Sequence, residues 1–414
     1  MSLFGGVIPV TGVPFLLFSI LLIAAVGYAI GAITIKGINL GSAGVFVAAL
    51  LYGALFYDKL DAALVAANAS WTSNALKVVE NIGLVFFVTA VGFIAGPNFF
   101  GNLKKNFKSY ILLGAIIILS AGIACALCYF LGRGAEADPK TFVAMLQGLL
   151  SGALTSTPGF SAAKATIATA DMEAAVTVGY GIAYLFGVVG VVLFVQLIPK
   201  LSKANMDEER AKVVSIQTNS KKKAYTGKLI NIDDFGLAPF ALAAGIGILV
   251  GSVKIPLTGA GLSGTTFSLT TTGGTLITAL VFGHFAHIGR INIMPQKKML
   301  EILRELGLIL FLMGAGIAGG ARFVEYFKPV YFLYGMIMTI VPMIIGYLFA
   351  KHVLKLSLFN NLGSITGGMT STPALGTLIH VAGTDEVASA YAATYPIALL
   401  AVVLVEQFLP VLLG

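Results

Sequence analysis

A helix-breaking tetrapeptide, Thr-Ser-Thr-Pro, stands twice inside long apolar stretches of this chain, as Thr155-Ser156-Thr157-Pro158 and as Thr370-Ser371-Thr372-Pro373. Proline removes an amide donor and ends the preceding helix, so each copy predicts two half-helices joined by a polar break. The flanks repeat too: Ser151-Gly152-Ala153-Leu154 precedes the first tetrad and Thr366-Gly367-Gly368-Met369 the second. Gly83, Gly92 and Gly96 recur in the same order as Gly307, Gly316 and Gly320. Gly27 and Gly31 recur as Gly247 and Gly251, Gly44 and Gly53 as Gly274 and Gly283, and Tyr180 aligns with Tyr395. Residues of about 12 to 200 and 236 to 414 therefore read as two copies of one unit, and a period of roughly 220 residues is too long for a solenoid.

Composition identifies the solvent of these copies. Of the 414 residues 57% are apolar and only 11% charged, with a mean hydropathy of +0.94, whereas soluble domains carry roughly 25% charged residues. The chain reads as an all-α polytopic membrane protein. Segments of about 17 to 25 residues, enough to cross a hydrocarbon layer of ~30 Å, fall near 14–33, 41–57, 81–97, 110–131 and 174–198. The second copy contributes 237–253, 272–288, 305–320, 330–350 and 388–412. No basic residue precedes the first apolar stretch, so it lacks a signal-peptide n-region and reads as a permanent span.

The tetrad segments, 142–170 and 358–383, decide the topology. If they cross, each copy has six spans and the copies are parallel; if they re-enter, each has five and the second is inverted. With five crossings and an external N-terminus, most of the 26 basic residues fall inside, including Lys36, Lys104, Lys105, Lys108, the linker lysines, Arg290, Lys297, Lys298 and Arg304, as the positive-inside rule requires. The expected fold is two inverted repeats of five transmembrane helices plus one re-entrant hairpin each, over residues 1–198 and 236–414. A cytoplasmic basic linker, 199–235, joins them, and both termini lie outside. The linker has no core of its own and reads as a dispensable tether touching anionic lipid, not nucleic acid.

A broken helix at membrane depth survives where it is buried in protein or lines a watered cavity. Hydroxyls and the free amides of a half-helix make that place attractive to a carboxylate or a coordinated ion. Thr155, Ser156, Thr157, Pro158 and Gly159, with Thr370, Ser371, Thr372 and Pro373, are the candidate substrate-binding residues. The competing reading is that such residues let helices kink and approach closely. Lys164 and His380 follow the two prolines at similar distances and could meet a substrate carboxylate or reach the membrane edge. Arg322, at the end of a span, could clamp an anion or anchor to headgroups. Glu406 could be a proton or sodium group. His284 and His287 read as interfacial, and Cys125-x-x-Cys128 lies in one continuous apolar run and reads as packing. The chain has no phosphate-binding loop of the Walker type, which argues against an ATP-driven pump.

GLLSGALTSTPGFSAA and GSITGGMTSTPALGTL, with the glycine-spaced segments 83–96 and 307–320, resemble the membrane halves of the aspartate:alanine exchanger family of bacterial inner-membrane antiporters. The resemblance spans nearly the whole chain. It implies exchange of small carboxylates or amino acids without ATP hydrolysis, an elevator-like motion and a homodimer; no cofactor is implied, and a sodium ion or proton is the candidate coupling species. Such exchangers usually carry a pair of soluble regulatory domains between the halves, and the connection here is too short for them. A sodium- or proton-coupled glutamate or dicarboxylate symporter is the alternative, although the hairpin tip of those symporters is of a Gly-Gly-His-Gly type. An ion channel ranks lower, and an enzyme would need a nucleophile and base pair or a metal cluster that the apolar spans do not offer.

Overall fold

The computed structural model describes residues 2–3, 8–9, 12–33, 41–64, 71–105, 107–134, 138–203, 205–213, 229–256, 266–384 and 386–413. Lys36, Lys221 and Gly414 lie outside the described residues, as do the side chains of Lys104, Lys105, Lys108, Thr372 and Pro373. The first half runs α1 (Val13–Ala32), α2 (Ala43–Leu64), α3 (Trp71–Lys105), α4 (Leu112–Gly132), α5 (Pro139–Ala153), α6 (Thr157–Ala165) and α7 (Ala170–Leu201). A short helix α8 (Met206–Ala211) lies in the connection. The second half runs α9 (Leu237–Gly251), α10 (Thr270–Phe285), α11 (Lys297–Gly320), α12 (Phe323–Tyr326), α13 (Pro329–His352), α14 (Leu358–Gly368), α15 (Thr372–Ala382) and α16 (Val387–Leu413).

All ten expected spans are helical. Among the described residues seven helices, α1, α3, α4, α7, α11, α13 and α16, are long and apolar enough to cross a membrane. Helix α2 carries Asp58, Lys59 and Asp61, while α9 and α10, with 15 and 16 residues, are shorter than a ~30 Å layer at ~1.5 Å per residue. Leucines and isoleucines remain on the outside, among them Leu21 at 69% and Ile123 at 63% exposure. That is the pattern of helices solvated by lipid.

Both tetrad segments break where proline predicts, and both fold back. Gln147 Nε2 on α5 donates to Thr166 Oγ1, just past α6, at 3.2 Å; along one unbroken helix the two residues would be roughly 28 Å apart. In the second copy, Phe359 and Leu362 of α14 pack in one cluster with Leu378 and Ala382 of α15. Each tetrad is thus the tip of a helical hairpin.

Glycines let the backbones touch, as small residues do between membrane helices. A Cβ on Gly83 would stand 2.3 Å from Phe311 N, and one on Gly307 would stand 2.4 Å from Phe87 N. Those obstacles are backbone atoms, so no rotamer change relieves them. Gly83→Ala or Gly307→Ala should each lower stability by about 1 to 3 kcal/mol, the usual range for overpacking; thermal melting of the detergent-solubilised protein measures it, and an unchanged midpoint would mean that the two helices separate without penalty. Gly152 meets Tyr180 O and Gly367 meets Tyr391 O. This corrects the sequence alignment by one turn: Tyr180 corresponds to Tyr391 and Tyr184 to Tyr395.

Polar ties join helix ends in two groups. Tyr28 donates to Glu305 at 2.8 Å, Ile230 pairs with Ile291 in a two-residue parallel ladder, and Asp233 accepts from the amides of Phe235, Gly236, Leu237 and Ala238 at the start of α9. Those backbone hydrogen bonds, that of Ala238 foremost, hold the Asp233 carboxyl below the usual range. At the other ends, Arg322 pairs with Asp171 and Glu325, and Lys77 lies 3.1 Å from Glu173.

The connection departs from the expected tether. Glu209 Oε2 accepts from Leu358 N at 3.0 Å, and Arg210 Nε donates to Ala382 O. Helix α8 therefore grips both limbs of the second hairpin at its base, while residues 214–228 of the linker lie outside the described residues.

Candidate functional site

Each hairpin tip is built on the same unusual backbone. Thr155 and Thr370 have φ of 51° and 50°, the left-handed region, where a β-branched residue is strained. Such strain costs on the order of 1 to 3 kcal/mol and gathers at binding and switch sites. The amides close the turn identically, Ser156 N to Ser151 O at 2.9 Å and Ser371 N to Thr366 O at 3.0 Å.

The tips meet each other reciprocally. Thr155 Oγ1 donates to Met369 O at 3.1 Å, and Thr370 Oγ1 donates to Leu154 O at 2.8 Å. Equivalent residues exchanging equivalent bonds describe a local two-fold relation centred on the tetrads.

Beside this contact lies a cavity of about 640 Å³ lined by Thr155, Thr157, Pro158 and Thr370 together with Tyr184, Arg304, Tyr391 and Tyr395. Arg304 and Glu305 stand in the third turn of α11. Glu305 is engaged by Tyr28, whereas Arg304 makes no ion pair among the described residues. The cavity is ringed by the starts of α2, α11 and α16 and the end of α3. A second cavity, of about 570 Å³, is lined by Lys77, Glu80, Lys164, Glu173 and Lys254 and sits at the opposite helix ends. Phe160 of α6 lies between Pro158 on the first cavity and Ser161 on the second. It is fully buried, stacked on Tyr180 at 4.1 Å and edge-on to Phe46 and Phe311.

Not every candidate residue reaches the first cavity. Ser156 Oγ accepts from Gly159 N at 3.1 Å and caps α6; Ser371 Oγ is buried without a partner among the described residues. The threonines, rather than the serines, present the hydroxyls. Lys164 Nζ lies 2.7 Å from Glu80 and 3.2 Å from Glu173, so the cation is neutralised inside the protein and neither snorkels nor faces this cavity. Arg322 joins α11 to α7, away from both cavities, and its hydrogen bond holds the Glu325 carboxyl below the usual range. His380 is exposed at the end of α15. Glu406 is fully buried; Ser151 Oγ donates to its Oε1 at 2.6 Å, and Oε2 has no partner.

Arg304, Tyr184, Tyr391 and Tyr395 were absent from the sequence-derived site. Arg304 counted there as a residue of an inner loop, because its charge suggested water. Leu308, one turn further on, lines the same cavity, so helical spacing from the Gly307 face was the signal that could have found it.

A family model described as a predicted permease membrane region matches residues 19–200 and again 239–411. An uncharacterized transporter of Bacteroides thetaiotaomicron is 25% identical over 547 aligned positions, which cover 94% of this chain and 97% of the relative. One of Bacteroides fragilis is 27% identical with the same coverage, and a putative transport protein of Dichelobacter nodosus is 23% identical, covering 95% and 97%. These alignments are longer than the 414-residue chain itself, so the relatives carry a stretch that has no counterpart here.

Proposed function

The chain belongs to the aspartate:alanine exchanger family of permease membrane regions, and from that premise we propose that it is a secondary active transporter exchanging small carboxylates or amino acids by alternating access. The observation that carries the reading is the pair of strained hairpin tips hydrogen-bonded to each other beside the guanidinium of Arg304, which has no ion-pair partner among the described residues. The hydroxyls of Thr155 and Thr370 are spent on bracing the two tips against each other, the α6 amides offer a positive dipole end, and Arg304 offers a bidentate fork for a carboxylate. The tyrosines supply the apolar wall and further donors.

In this reading the two halves are inverted repeats of five crossings and one hairpin. The polar ties support it, because every tie joins helix ends that the five-crossing layout puts on one face. The cavity at the tips then opens to the cytoplasm, Phe160 and its aromatic neighbours close the outer route, and exchanging the conformations of the two halves opens it. The elevator-like motion, the bacterial inner membrane as location and a homodimer belong to the same reading. Cysteines at Lys212 and Lys297 should label from the cytoplasmic side and cysteines at Lys140 and Lys254 from the outside; Lys212 and Lys254 on one face would exclude inversion.

Cation-coupled uptake is the second reading, favoured by the buried Glu406 with one oxygen free. Counterflow of labelled aspartate, glutamate and alanine in proteoliposomes separates them. Exchange should proceed without an imposed gradient, whereas uptake that needs a sodium or proton gradient would replace exchange by symport. Absence of saturable flux for every carboxylate would remove both.

A further inference from the structure

A third cavity, of about 670 Å³, lies at the base of the second hairpin, remote from the tips, and is lined by Tyr110, Lys212, Lys351, Lys355, Asn360 and Asn361. Two features of it ask for a ligand. Asn360 and Asn361 are 4% and 1% exposed, and the Oδ1 atom of each accepts no hydrogen bond from the described residues. A buried amide oxygen left unsatisfied costs about 1 to 3 kcal/mol, and native structures seldom leave two side by side. Ser357 Oγ, on the same wall, is buried without a partner among the described residues as well.

The second feature is charge. Lys351 and Lys355 are exposed and make no ion pair among the described residues; Lys351 Nζ lies 5.7 Å over the Tyr347 ring. Lys212 is already paired with Glu209 at 2.9 Å, and Glu209, the one carboxylate on this cavity among the described residues, also accepts from Leu358 N. The first turn of α14 contributes its positive dipole end. Glu209 already caps that N-terminus, so the site presents two cations without a carboxylate partner among the described residues, and two amide oxygens that need donors.

We propose that this cavity binds a phosphate ester of a polyol, with the phosphate on Lys351, Lys355 and Ser357 and the hydroxyls donating to Asn360 and Asn361. The same chemistry is offered by a glycerol-headed anionic lipid and by a soluble sugar or glycerol phosphate. Its wall joins α13, the second hairpin and helix α8, so an occupant bridges the hairpin base to the connection.

The test uses the purified full chain and follows binding by native mass spectrometry and by thermal midpoint. The probes are phosphatidylglycerol, phosphatidic acid, phosphatidylcholine and sn-glycerol 3-phosphate. Phosphatidylglycerol should bind about tenfold or more tighter than phosphatidylcholine, and tighter than phosphatidic acid, which has the phosphate without the polyol. K351A/K355A and Asn360→Asp should each weaken it about tenfold while leaving the midpoint in phosphatidylcholine unchanged; should the double variant unfold, Asn360→Asp decides. Displacement of the lipid by glycerol 3-phosphate assigns the site to soluble ligands, and its failure assigns it to lipid. Equal binding by parent and variants, or equal binding of phosphatidic acid and phosphatidylglycerol, overturns the proposal.

Discussion

Lys164→Met should leave little folded protein in the membrane, lowering stability by about 3 to 5 kcal/mol, because it strands a buried carboxylate. Glu80 and Lys164 have side chains 10% and 9% exposed and lie 2.7 Å apart, on α3 and on the hairpin limb α6. Glu173 retains Lys77 when Lys164 is lost; Glu80 retains no other salt-bridge partner among the described residues. Removing both members is therefore the informative control: Lys164→Met with Glu80→Leu should recover most of the monodisperse yield and the melting temperature. A single mutant as stable as the parent would show that water reaches Glu80 freely, and that the pair does not anchor the first hairpin.

Arg304→Gln should abolish exchange while the protein folds and inserts normally. A guanidinium facing a substrate carboxylate in a confined site contributes about 2 to 5 kcal/mol on truncation, a factor of roughly thirty or more in affinity. Arg304→Lys should recover part of it, since an ammonium keeps the charge but not the fork. Binding is read by substrate-dependent thermal stabilisation and flux by counterflow. Parent-like affinity in Arg304→Gln would mean that the cavity at the tips is not where the carboxylate sits, and the proposed site would fall with it.

Much of this architecture was legible as pattern. Proline and hydroxyl residues within apolar runs predicted two broken helices, and glycines recurring in order predicted duplicated helix packing; both follow from local backbone chemistry, which residue identity determines. The roles inside the tetrads were less legible. Ser156 and Thr155 are both hydroxyl residues in one turn, and nothing in their order says that the serine caps α6 while the threonine, in a left-handed conformation, reaches across to Met369 O. Lys164 likewise offered two readings from its position alone, and only the approach of Glu80, 84 positions away in sequence, chose a third.

Hydropathy, glycine spacing and proline act within a segment, so the solvent, the helices, the duplication, the two breaks and their hairpins could be read from residue order. Packing between helices specified that the tip threonines bond to the opposite tip while the serines do not, that Arg304 lines their cavity and not a loop, and that α8 holds the second hairpin. Each of these is a contact between segments far apart in the chain. A side chain's partner is set by the packing of whole helices, and no periodicity within one segment encodes it.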